Sequence, residues 1–435
     1  MRRSEPNEKR SARRTTRVFD VVATWTAYPF LFSLLTVMSE YRRLQSLGKR
    51  PNVHFEAEYQ GQKIVVFALF QKGRLRRDTI GFLQTLKAAG HYVLCVNTLK
   101  LSDPEAMREH CDCYIERFNF GRDFGSYQEG FRHIYRRGWE RDCPRLMMVN
   151  DSVYCVSDRA GAFVADMMDA EAEVLGSTEN YEIIHHLGSF CIALAGRVVR
   201  EKVFRDFWKS YRQTDVRPVV IKKGEQRFSK MLRRAVSAVS EFQALYGTHA
   251  FLERLQDSDA FIDDAIRNAR VSPLTGWKRF SVREVIDDLR KKYLIETFDP
   301  AELEVAVEVT GADVSDRVFV GTFDGIVKVA EANLRAPGTL DRGVVKDVVI
   351  SQLTEVYMSG SQIHQNASTL LSMGLPIVKM DGLYRGMFTI QDLQMIAQQM
   401  MRTDALELQD LLLDRPYGGD ALRGWRRAAF MRGLI

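Results

Sequence analysis

The chain has 435 residues, 62 of them Lys or Arg and 56 Asp or Glu, with 46% hydrophobic and 27% charged side chains, which describes a globular protein of two or three domains. The net charge of +6 is unevenly placed: residues 1–50 hold eleven basic and four acidic side chains, and the other 385 residues hold 51 basic and 52 acidic ones. A body so evenly balanced excludes a nucleic-acid-binding fold, which spreads Lys and Arg over its own surface.

Residues 18–39 (VFDVVATWTAYPFLFSLLTVMS) carry one charge, Asp20, and are interrupted by Pro29. About twenty apolar residues suffice to cross a bilayer, and the run is open to three readings. It is an interfacial or re-entrant anchor, with Trp25 and Tyr28 at headgroup level and the flanking Arg and Lys on anionic lipid. Or it spans the membrane, with basic residues on both sides and no orientation set by charge. Or it is a helix packed on the body behind a solvated basic tail. No small-residue cleavage site follows it, against a cleaved signal peptide.

From residue 62 the pattern alternates. Residues 63–70 (KIVVFALF) predict a buried strand, 77–89 a helix closed by Gly90, 91–97 a second strand, and 102–110 a short helix capped by Ser102. Residues 112–118 predict a third strand, 126–137 a helix, and 145–149 (RLMMV) a fourth strand ending at Asn150-Asp151-Ser152. Strands at 173–176 and 188–194, a helix over 198–211 and a long helix over 224–246 follow. Beyond Gly247 the chain reads as helical to about 292, with a small strand pair at 302–320 and helices near 362–373 and 390–413. The pattern predicts an α/β fold, a mainly parallel sheet flanked by helices with a mostly helical C-terminal region. The expected division is a basic appendage (1–60), a sheet domain (61–247) and a helical region (248–435) on the acceptor side.

Cys95, Cys111, Cys113, Cys143, Cys155 and Cys191 form no CxxC pair and no zinc-finger spacing with histidine. They are expected to be reduced and structural, in a cytoplasmic body. Cys111 and Cys113, on one strand, are expected to share a face.

Ligands bind beyond the carboxyl ends of such strands, and two segments lie there. NFGRDFGSYQEG (119–130) joins the third strand to a helix, and its glycines let backbone approach a ligand. Its glycine spacing is not the dinucleotide fingerprint, and a turn capped by Asp123 would not need Arg122, Ser126 and Tyr127 as well. In MMVNDSVY (147–154) an apolar strand ends in an amide, a carboxylate and a hydroxyl, a set that suits Mg²⁺ or Mn²⁺ held by Asp151 and substrate phosphate oxygens.

This order of strand, NxG, polar helix start, apolar strand and short Asp-containing motif resembles the nucleotide-sugar-binding half of GT-A-fold (Rossmann-like) glycosyltransferases, with NDS at the place of their metal-binding DxD. More closely, RDFGSYQEG, NDSVY, GSTEN (176–180), HHLGSFCIAL (185–194) and VFRDFW (203–208) resemble the rhamnan synthesis protein F family, over about residues 62–247, with a weaker echo in 366–385. Residues 1–60 and about 295–360 have no counterpart there. The resemblance implies a transferase that builds rhamnose-containing cell-surface polysaccharide.

It also implies roles. Glu225, heading the helix predicted at 224, matches the acidic residue that carries the general base in inverting GT-A enzymes, with Glu179 and His186 as second choices on the acceptor side. Arg122, Asp123, Ser126 and Tyr127 are expected at the base, ribose or diphosphate, and Asn150, Asp151 and Ser152 at the diphosphate, with Asp151 on the cation. NDS offers one carboxylate where DxD offers two, so basic groups such as Lys72, Arg74, Lys222 or Lys223 are alternatives to a metal. The expected reaction moves a sugar, L-rhamnose from dTDP-rhamnose, to a glycan or lipid-linked oligosaccharide at the inner face of the cytoplasmic membrane. The alternative is a non-catalytic scaffold of the same fold in a polysaccharide assembly complex. No GKS/T loop supports phosphoryl transfer.

Overall fold

The computed structural model describes residues 7–270, 278–293, 320–334, 340–414 and 422–435. A long helix α1 (Asn7–Ser46) leads into β1 (Asn52–Glu56). The alternation of strand and helix then follows the predicted order: β2 (Ile64–Leu69), α2 (Arg77–Ala88), β3 (Tyr92–Asn97), β4 (Cys113–Glu116), α3 (Arg122–Arg137) and β5 (Arg145–Asn150). After β6 (Val153–Cys155) and α4 (Ala160–Met168) come β7 (Val174–Gly176), β8 (Glu179–Asn180), β9 (His186–Leu187) and β10 (Cys191–Ala195).

The central sheet has eight strands in the order β1-β4-β3-β2-β5-β10-β7-β11, where β11 is Phe242–Ala244. Its middle four, β4-β3-β2-β5, are parallel, with Val66 opposite Leu94 on one side and Met148 on the other. Strands β1 and β10 flank them antiparallel. Every residue of β2, β3 and β5 is buried, as strands covered on both faces must be.

One face carries Ile64, Val66, Leu94, Val96 and Met148 onto Tyr127, Phe131, Trp208 and Phe228 of the helices beneath. The opposite face carries Val65, Phe67, Val93, Cys95 and Met147 into a core that runs on without a break through Leu255, Ile262, Val349 and Leu370 of the C-terminal helices. These include Thr248–Asp257, Asp259–Asn268, Arg342–Met358 and Ala367–Ser372.

Several expectations change. The helix α3 begins at Arg122, four residues before the predicted start, because Gly121 turns the chain with φ +86° and Arg122 follows at φ +51°. The segment 102–110 is a 3₁₀ turn, Glu105–Glu109, headed by Asp103 and Pro104, and Ser102 does not cap it. In place of one helix over 224–246, a short helix Arg217–Val220 runs into a π-helical turn Ile221–Gln226 and a helix Arg227–Ala235 that ends eleven residues early. The chain then extends to complete the sheet edge as β11, parallel to β7. Cys111 precedes β4 and joins one core while Cys113 joins the other, so the two thiols do not share a face. All six cysteines are free and buried, as expected. The strand pair expected over 302–320 falls almost wholly outside the described residues.

Among the described residues no helix is long and apolar enough to cross a membrane. The second half of α1 packs on the body instead. Leu31 and Leu35 are buried with Val216, Ala429 and Leu434, and Arg42 pairs with Asp215 at 2.8 Å. The opposite side of the same helix leaves Phe30, Val37, Tyr41 and Leu44 exposed, at 57–70% of their surface.

Helix α3 lies on β2 and β3 through Gly130, where an added Cβ would stand 2.6 Å from Val66 Cγ1. Gly130→Ala should therefore destabilise the protein by about 1–3 kcal/mol, read as a lower urea midpoint at unchanged slope.

Candidate functional site

The middle strands all end at one edge of the sheet, where their polar terminal residues face two adjoining cavities. The first, of about 530 Å³, is lined by Leu69, Phe70, Thr98, Asn119 and Asp151 at or after the strand ends, by Ser126 of α3 and by Arg76. Leu35, Met38, Ser39 and Arg42 of α1 and Leu434 and Ile435 at the chain end close it. The second, of about 410 Å³, holds Glu179, His186, Glu225, His364, Lys379, Arg217 and Arg385. Arg122, Asp123, Ser152 and Asp381 line both and mark the junction.

The turn into α3 sets the junction. Gly121 N–H donates to Asp215 Oδ1 at 2.8 Å and Arg122 Nε to the Asp215 carbonyl at 3.0 Å. Together they hold Arg122 in the left-handed region, a conformation that a non-glycine residue keeps only when its surroundings fix it. The Arg122 side chain is solvent-exposed and lines both cavities; desolvation by the surrounding protein and the neighbouring Arg217 lower its pKa. Burial raises the Asp123 carboxyl against the pull of Lys379, Arg122 and Arg117. Asn150 donates to Asp123 Oδ2 at 3.0 Å and accepts from Ser152.

Asp151 is turned inward. Its Oδ2 accepts from Phe70 N–H at 2.8 Å and from Gln71 Nε2 at 2.9 Å, and burial raises its pKa despite Arg76 and these donors. Ser152 Oγ accepts from Lys379 Nζ at 2.6 Å. The place where DxD would bind a cation thus holds an inward carboxylate, already bonded to two donors, and a hydroxyl occupied by an ammonium. This set does not fit a divalent ion. Among the described residues three ligand-type side chains converge within 4.8 Å only at Glu56, Cys113 and His133, outside both cavities, where Arg137 also pairs with Glu56 at 3.0 Å.

Glu225 lies in the π turn 221–226, in which Gly224 lets the backbone pass 3.1 Å (as a Cβ distance) from the Phe124 ring. Turns of this kind recur at functional sites. His186 donates from Nδ1 to the Ile184 carbonyl at 2.7 Å, leaving Nε2 3.9 Å from Glu225 Oε2. Glu179 is bound at both oxygens, by Thr248 N–H at 2.6 Å and by His185 Nε2 at 2.6 Å. Burial would raise its pKa, but these partners hold it below the usual range.

The structure brings Arg122, Asp123, Ser152, His186 and Glu225 to the cavities as exposed or lining groups. Ser126 lines the first cavity while accepting from Arg117, and Asn150 acts behind Asp123. Tyr127 is fully buried on the underside of the sheet, its hydroxyl on the Ser189 carbonyl, and lines neither cavity. Lys72, Arg74, Lys222 and Lys223 do not line the cavities; Lys222 and Lys223 face an outer groove.

The cations that sequence reasoning missed are Arg76, Arg217, Lys379 and Arg385. Asp381 draws the last three together with His364: it accepts from Arg217 at 3.0 Å and lies 2.7 Å from His364 Nε2. Burial would raise the Asp381 carboxyl, but His364, Lys379 and Arg217 hold it far below the usual range. Arg385 is lowered to about 10 by burial and by repulsion from Arg217 and Arg122. The only signal for this group in the sequence was the family-like run that contains IVKMDGLYR.

Residues 92–262 match the family model described as rhamnan synthesis protein F, so the resemblance is borne out over that segment. The chain is 24% identical over 213 residues to an uncharacterized protein, y4gN, of Sinorhizobium fredii, covering 48% of this chain and 53% of that one. It is 30% identical over 101 residues to the virulence protein VirA of Vibrio anguillarum, covering 23% and 31%. The chain thus spans about half the length of the first relative and about a third of the second. The family match includes Arg122, Asp123, Asn150 to Ser152, Glu179, His186, Arg217 and Glu225, and stops well before Lys379.

Asp151→Ala would leave the Phe70 N–H and one N–H of the Gln71 amide without their acceptor, the other amide N–H staying on Thr79 Oγ1. A loss of about 2–4 kcal/mol is expected, measured by urea unfolding; an unchanged midpoint would mean that the carboxylate is not a structural acceptor.

Proposed function

We propose that the protein is a glycosyltransferase of rhamnan-type cell-surface polysaccharide synthesis with a GT-A-like fold, which transfers a sugar, L-rhamnose from dTDP-rhamnose, to a glycan acceptor with inversion. One observation carries this reading: the two cavities at the carboxyl edge of the parallel strands meet at cationic groups, with Glu225 and His186 on the far side. The first cavity, with apolar Leu69 and Phe70 beside polar Thr98 and Asn119, suits a base and ribose. The junction suits a diphosphate, and the second cavity suits the donor sugar and the acceptor hydroxyl. The family match supports the reaction class and leaves the sugar and base to experiment.

In this reading Glu225 removes the acceptor proton as the acceptor oxygen bonds to the anomeric carbon, and the bond to the diphosphate oxygen breaks on the opposite face. His186, its Nδ1 proton held by the Ile184 carbonyl, stands with Nε2 3.9 Å from this carboxylate and lines the acceptor side with it. Glu179, bound at both oxygens, shapes the acceptor side by anchoring the Thr248 turn. The exposed apolar face of α1 behind the basic residues that precede it supports a place on an anionic membrane surface. Apolar side chains would enter the interface there and the basic segment would lie on headgroups.

Glu225→Gln should lower transfer by about 10²–10⁴-fold while nucleoside diphosphate binding stays within a factor of two or so, tested by sugar release and transfer from a panel of dTDP, UDP and GDP sugars. Undiminished transfer would remove Glu225 from the base role. Removal of residues 1–24, which takes away the basic segment and spares the apolar face from Phe30 to Leu44, should weaken sedimentation with anionic vesicles at low salt and leave transfer to a soluble acceptor intact. Binding to anionic vesicles that is unchanged by the truncation at low salt would remove the basic segment from the membrane contact.

A further inference from the structure

Lys379 ends the short strand β12 (Ile377–Lys379), which pairs antiparallel with β6 so that Lys379 lies opposite Val153. The pairing continues into the site through Met380 N–H, which donates to the Ser152 carbonyl at 3.0 Å. Two backbone strands therefore fix the ammonium against Ser152 Oγ, and the Phe190 ring, 5.0 Å away, covers its other side. Arg122, Arg217 and Arg385 share the second cavity with it. Among the described residues Asp381 bonds Arg217 and lies 4.0 Å from Arg385, which also donates to the Phe430 and Ile435 oxygens, while Lys379 bonds no carboxylate and the Asp123 carboxyl, raised by burial, stands at the junction. Cations this close repel one another unless an anion lies between them.

We propose that Lys379 takes the place of a divalent cation in this protein, binding the donor diphosphate at the junction of the two cavities with Arg122 and Arg217. The inference rests on the transferase reading and adds to it the ion that answers the leaving-group charge. As the anomeric C–O bond breaks, its electron pair passes to the diphosphate oxygen. The Lys379 ammonium keeps its proton and donates hydrogen bonds to the growing negative charge, and the acceptor proton goes to Glu225. No metal enters the balance. A charge-assisted hydrogen bond made stronger in the transition state than in the bound donor lowers the barrier in the way required.

The test is titration calorimetry of the full chain with dTDP and UDP in EDTA and in Mg²⁺ or Mn²⁺, together with transfer from the matching sugar donors. Wild type should bind a nucleoside diphosphate in EDTA, with affinity and turnover changed less than about two-fold by either metal. Lys379→Ala should weaken that binding by about 10–100-fold without weakening the nucleoside, and Lys379→Arg should recover most of it. The metal dependence of wild type needs no variant, so a poorly folded Lys379→Ala does not blunt the test. Binding or turnover that requires the metal overturns the role of Lys379 and leaves the transferase reading standing. No binding of any nucleoside diphosphate under either condition overturns both.

Discussion

Four parallel strands with apolar side chains on both faces have to be covered on both faces, and this constraint orders the molecule. Because β2, β3 and β5 have no exposed residue, their polar side chains are confined to the strand ends. Asn97, Asn150, Asp151 and Ser152 thus collect at one edge as a consequence of burial, before any demand of chemistry. The cover on one side is aromatic, with Phe131 stacked on Trp208 at 4.8 Å. On the other side it is the C-terminal helices, whose apolar residues enter the same core as the sheet. Covering the second face also brings distant chain back to the polar edge. The run from His364 to Arg385 supplies Lys379 and Arg385 there because the helices that precede it are part of the core.

The edge is held by polar bonds that would be expensive to leave unmade. Asp151 satisfies the Phe70 N–H and the Gln71 amide, and Arg76 spans from Asp78 to the carbonyls of Asp151 and Val153. These groups fix the loop after β2 and with it the wall of the first cavity. A carboxylate committed in this way is a positioning group, and the freedom to meet a ligand passes to its neighbours Asp123, Ser152 and Arg122. The strained backbone of Arg122 belongs to the same logic, since Asp215, itself locked by Arg42 of α1, accepts from both Gly121 and Arg122.

The strands were legible because apolar runs such as KIVVFALF and RLMMV end abruptly in polar residues, and a buried parallel strand leaves that trace. The segments at 119–130 and 150–152, which contribute Arg122, Asp123 and Ser152 to the cavity junction, stood out by polar residues and glycines at the ends of such strands. Tyr127 was misread because α3 starts four residues early: the helix turns that ring to the sheet, where a hydroxyl needs only the Ser189 carbonyl. The long helix at 224–246 failed because the open edge of β7 offers hydrogen bonds that helix propensity does not count. In α1, Phe30, Leu31, Leu34 and Leu35 look alike in composition, and only the packing separates the face on the body from the face left bare. Lys379 was out of reach, since its partner Ser152 stands 227 residues away and is met through a three-residue strand pairing.

That dispersion has an electrostatic reason. Cations brought together from one segment would repel one another in the unfolded and partly folded chain as well as in the site. Here Arg122, Arg217, Lys379 and Arg385 come from three regions and meet only when the sheet, the π turn and β12 are all in place. Burial, and after it repulsion among Arg122, Arg217 and Arg385, lowers Arg122 and Arg385, and Asp381 and the packing that fixes each stem oppose that repulsion. Such a site is held short of its own electrostatic minimum by the rest of the fold. An anion entering the junction relieves the repulsion without moving the backbone, so its binding draws on preorganised charge rather than on a rearrangement at the moment of reaction.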